Sequence, residues 1–84
     1  MAAVARLAAT KLATMLDLAG RIAMAHRHVA TGHSIIARQH NVIAKTHKLG
    51  TDASSAEELL VQFEKSQAIF EDDLARLLRE RDSR

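Results

Sequence analysis

The 84-residue chain contains no cysteine, no proline, no tryptophan and no tyrosine, and only three glycines and two phenylalanines. Without cysteine there is no disulfide scaffold, zinc–thiolate site or thiol nucleophile. The lack of proline and scarcity of glycine favour long helices over a strand-and-turn protein. So few aromatics leave little to stack on nucleic-acid bases. Long uninterrupted apolar runs are missing too. Arg6, Lys11 and Asp17 break the N-terminal stretch, so nothing approaches the roughly 20 residues of a membrane-spanning helix. A secretory signal fits poorly for the same reason. An organelle-type presequence stays open, because residues 1–16 are amphipathic and free of acids. No glycine-rich phosphate loop is present, and a chain this short offers no concave catalytic site. A non-enzymatic, cytoplasmic, all-α protein is the expectation.

What is there begins with apolar residues at 48% of the chain, much of it alanine, and a net charge of +2. Residues 1–50 hold seven basic residues against Asp17 alone, a net of +6. Residues 51–84 hold five basic and nine acidic residues, a net of −4. Halves of opposite sign can attract each other. A chain of this size buries a limited core by itself, so self-association is expected.

One stretch punctuates the chain, LGTDASSAEELL at 49–60. Gly50 suits the left-handed position just beyond a helix C-terminus. Thr51, Asp52, Ser54 and Ser55 are capable N-caps, and Ser54 with Glu57, or Ser55 with Glu58, would form a capping box. Lys45, His47 and Lys48 before the loop, and Glu57 and Glu58 after it, suit the dipoles of the flanking helices. A short loop between long helices implies an antiparallel pair.

Helices are expected at about 22–49 and 54–81, with the loop at 50–53. In the second, Ala56, Leu60, Phe63, Gln67, Phe70, Leu74 and Leu77 recur in steps of four and three, a coiled-coil-like seam that Leu59 and Leu78 widen. Its polar member, Gln67, is expected to be half-exposed or water-bonded rather than a register-setting layer. In the first, the seam is Ile22, Ala25, Val29, Gly32, Ile36, Gln39, Ile43 and Thr46, flanked by Ile35, Val42 and Leu49. Its small residues form a shallow groove for the bulkier side chains of the second helix.

The histidines recur at the heptad interval: His26, His33, His40 and His47. The seam register puts them on one flank, facing Glu57, Glu64 and Glu71 across the hairpin. The expected ion pairs are His47 with Glu57, His40 with Glu64, and His33 with Glu71, while His26 falls opposite Leu78. A carboxylate neighbour favours the imidazolium. The pairs should therefore support the fold at mildly acidic pH and lose that contribution as the imidazoles deprotonate. Chelation by one helix fits badly: residues seven apart lie about 10.5 Å apart along the axis, and metal–nitrogen bonds are about 2.0–2.1 Å. No cofactor or metal is expected. A metal or haem site would need histidines from another subunit. A nucleic-acid accessory role is a third reading, weakened by basic residues scattered around the first helix and by the acidic second helix.

Residues 1–21 read as an amphipathic extension with no partner in the hairpin, since Asp82 is expected opposite about Ile22. Val4, Leu7, Leu12, Met15, Leu16 and Ile22 form its apolar face, which a second copy could cover in a four-helix dimer whose N-terminal segments pair with each other. A fold-back at Gly20, a docking helix for another protein, and a membrane-surface helix are the alternatives.

The stretch from about residue 28 to 81 also resembles a group of small bacterial helical-hairpin proteins of unknown function. The matching features are RHVATG (27–32), IARQ (36–39), VIA (42–44), Gly50 with Asp52, Ala56, the Leu59–Leu60 pair, Phe63 and DLARLLRE (73–80). The resemblance implies a hairpin fold and no activity, cofactor or partner. Such relatives carry Glu or Arg where this chain has His33, His40 and His47, which suits an electrostatic flank better than a ligand set.

Overall fold

The computed structural model describes residues 2–83, the side chains at positions 2, 3, 7 and 9–16 excepted. Two helices make up the described chain: α1, Ala2–Lys48, and α2, Ser54–Asp82, packed against each other as a hairpin. Every residue of both predicted seams is buried or half-buried. The 3-4 spacing therefore finds the contact face of each helix along its full paired length.

The loop forms as its residues dictate. Gly50 takes a φ of +72°. Its N–H donates to the His47 carbonyl at 3.0 Å, and the Thr51 N–H donates to the Thr46 carbonyl at 3.1 Å. This pair of bonds is a Schellman cap, and it satisfies two of the carbonyls that the end of α1 leaves open.

The start of α2 departs from the expected capping box. Asp52 Oδ1 accepts from the Ser54 backbone N–H at 3.0 Å and from the Ser54 hydroxyl at 2.6 Å. Ala53 holds the N-cap place with no side-chain acceptor, and its carbonyl receives the Glu57 N–H at 2.9 Å. Glu57 does not close a box, because it lies four residues past Ala53, one too many; its carboxylate meets His47 at 3.2 Å instead.

Two further departures concern α1. It runs unbroken through Gly20, so the chain does not fold back there. The covered zone also extends beyond Ile22: Leu18 is 3% exposed and packs with Ile22, Ala25 and Leu77, backed by Leu74 and Leu78. The reason is an offset between seam and flank. The His33–Glu71 pair would set Gln67 opposite position 37 of α1, yet Gln67 lies over Gly32. The seam contacts are thus shifted five residues, about 7.5 Å, toward the α1 N-terminus relative to the flank pairs, which carries Leu77 toward Leu18.

The result is a rod of 74 × 16 × 15 Å with a radius of gyration of 20.1 Å. A compact chain of this length would have about 12 Å. α1 has 47 residues and α2 has 29, so the first part of α1 extends past the end of α2 as an arm.

Hydrogen bonds from the Ser54 hydroxyl, and then from its N–H, hold the Asp52 carboxyl below its ordinary value of 3.8. A group depressed in the folded state stabilises above its unfolded value, and that contribution is lost as pH falls through the lowered one. Asp52→Asn keeps an acceptor for the N–H but cannot titrate. The stability advantage of the parent chain over Asp52→Asn, measured by urea unfolding from pH 6 down to pH 2.5, should shrink in acid. A difference that is constant with pH would contradict this cap.

Candidate interaction surfaces

Buried polar chemistry comes from two glutamines, one per helix. Gln39, 8% exposed, donates through Nε2 to the Ala56 carbonyl at 2.8 Å. Gln67, 5% exposed, donates through Nε2 to the Val29 carbonyl at 2.9 Å. The expectation of a half-exposed, water-bonded Gln67 is therefore corrected. Gln67 lies over Gly32, and a Cβ built there would stand 1.6 Å from its Oε1. A carbon–carbon bond of about 1.5 Å puts Oε1 no more than about 3.1 Å from the glycine α-carbon, closer than the roughly 3.3–3.6 Å of an ordinary Cα–H···O contact. It has no conventional hydrogen-bond partner.

One side of the hairpin carries the histidine flank. His47 Nε2 is 3.2 Å from Glu57 Oε1, and His33 Nε2 is 3.5 Å from Glu71 Oε1. His40 and Glu64 are both exposed, and no ion pair within 4.0 Å joins them. At exposed positions the Coulomb gain barely offsets the entropy of holding two long side chains together, so a register that permits three pairs forms two. His26 is exposed and Leu78 is half-buried against the core. No cluster of three or more His, Asp or Glu residues disposed to hold a metal ion occurs among the described residues.

The opposite side divides in two. Near the loop it is apolar: Leu49 is 80% exposed, Leu59 45% and Val42 43%, beside half-buried Ile35. Farther along, Arg21, Met24, Ala25, His28, Asp73, Arg76 and Leu77 line an open recess of about 180 Å³. His28 stacks on Phe70 with ring centroids 5.3 Å apart, and Arg76 pairs with Asp73 one turn away. The sequence reading missed this recess. Its signal was the heptad itself, which sets Arg21 and His28 one interval apart on the flank that carries Asp73 on α2.

Of the residues assigned to self-association, Val4 is 69% exposed. Ile22 is a correction: it is 8% exposed within the hairpin's own core, where the offset seam brings Leu77 to it. Leu7, Leu12, Met15 and Leu16 have side chains outside the described residues. No described helix is long and apolar enough to cross a membrane. Comparison of the chain with family models, curated proteins and solved structures found no match.

Double-mutant cycles separate formed pairs from permitted ones. Replacing His47 and Glu57, or His33 and Glu71, by alanine should reveal a coupling of a few tenths of a kcal/mol, up to about 1. The His40 and Glu64 cycle should give none. Equal coupling in all three would contradict the geometry.

Proposed function

We propose that the chain is a non-catalytic, self-associating structural or protein-interaction module, a helical hairpin of the kind its sequence resembles, whose working form is a homodimeric four-helix bundle. The observation that carries this reading is the incomplete burial of the seam. Ile36, Ile43, Leu60, Phe63, Phe70 and Leu74 lie on the contact face yet remain half-buried, and the described hydrophobic core holds just Leu18, Ile22, Ala25, Ala53 and Leu77. Two helices alone cannot enclose such residues, and a second hairpin can. Exposed Val4, Leu49 and Ile69 add apolar surface that association would cover.

The histidine-dependent metal or haem reading has less support. Each histidine–glutamate pair offers two donors, fewer than a structural zinc site uses. Nucleic-acid binding has less still, because α2 places Glu64, Glu71 and Asp72 on the surface beside the basic helix.

Sedimentation equilibrium of the full chain should give twice the 9.2 kDa of one copy, with dissociation on dilution. A mass of one copy at all accessible concentrations would contradict the proposal.

A further inference from the structure

We propose that two copies pack antiparallel, the α1 arm of each lying along the apolar flank beside the interhelical loop of the other. This deepens the self-association reading and rests on it.

Length is the first argument. Leu18 is the first residue of α1 buried by the hairpin among the described side chains, and the stretch of α1 from residue 2 to 17 covers about 24 Å at 1.5 Å per residue. On the other side of the molecule, the flank from Ile35 to Leu49 covers about 21 Å. A helical arm that extends past α2 and a partly exposed apolar strip of nearly equal length stand at opposite ends of a 74 Å rod. Antiparallel overlap brings each arm to the other copy's strip and closes the pair about a two-fold axis.

Apolar character matches along that contact. Val4 is 69% exposed, and the sequence sets Leu7, Ala8, Leu12 and Met15 at helical spacing from it. Leu49, Leu59 and Val42 face outward on the strip. The arm carries Arg6 and Lys11 and no acid before Asp17, while Asp52 and Glu58 stand exposed where α2 begins. A parallel arrangement would instead set arm on arm, with Lys11 against Lys11, and strip on strip. With Val4 beside Leu49, the axis falls near His26. The recess containing Arg21, Arg76 and Asp73 then lies close to its own copy, with charges of both signs available to each side.

The chain has no cysteine, so introduced thiols report this contact without background. Val4→Cys and Leu49→Cys change exposed side chains and should leave the hairpin folded. The two variants are mixed as full chains, oxidised with copper phenanthroline, and read by intact mass. The mixed disulfide between them should exceed either self-linked species, since a disulfide needs α-carbons within about 7 Å. Predominant Val4→Cys self-linking would mean that the arms meet each other, which overturns the antiparallel contact and leaves self-association standing. A dimer mass with no cross-link overturns it too. A monomer mass overturns both.

Discussion

The hairpin is organised around one close approach, the Gln67 amide lying on Gly32. A carboxamide buried between two helices is costly unless its donor is bonded, and here Nε2 reaches the Val29 carbonyl. That carbonyl belongs to a helix interior and can serve a second donor through its remaining lone pair. The oxygen occupies the place a Cβ would take, so only glycine admits it. Sliding the helices by one heptad would present Ala25 or Gln39 in place of Gly32, and the amide would meet a side chain. Gln39 on the Ala56 carbonyl repeats the device from the other helix, closer to the loop. Together they select one register among several that the apolar stripes tolerate, the best-attested use of a polar residue at a seam position.

Surface chemistry follows from that register. The histidine flank meets glutamates at His47 and His33 because the glutamines align the helices there. The seam offset takes Leu77 up to Leu18, and the leftover length of α1 becomes the arm. A rod this thin leaves much of its seam half-buried, and the apolar strip by the loop is only partly covered by its own chain. The same geometry that orders one copy therefore leaves surface suited to a second.

Much of this was legible in the residues. Heptad spacing located both contact faces, Gly50 located the turn, and the flank register anticipated His47–Glu57 and His33–Glu71. Other features depend on quantities that spacing does not carry. Whether Gln67 is wet or buried depends on the depth of the groove at Gly32, a three-dimensional fit between residues 35 positions apart. Asp52 rather than Ser54 supplies the acceptor at the start of α2 because the helix begins with Ala53 as its N-cap, a boundary that the neighbouring candidate caps leave open in the sequence. The absence of a His40–Glu64 pair reflects exposed rotamers with almost no energetic preference. Leu18 was missed because long flank side chains cross the hairpin diagonally, so a register read from flank pairs places the end of α2 about five residues too far from the arm.

The most direct measurement is the stability of Gly32→Ala, alone and combined with Gln67→Ala, with Gly20→Ala as reference. Alanine is favoured over glycine in a helix by up to about 1 kcal/mol, and a Cβ at Gly20 meets nothing within 4 Å, so Gly20→Ala should stabilise. Gly32→Ala should instead destabilise by about 1–3 kcal/mol from overpacking. Most of that loss should vanish in the Gln67→Ala background, where the amide no longer occupies the site. A Gly32→Ala chain stabilised as much as Gly20→Ala, with no coupling to position 67, would contradict the central role assigned to this contact.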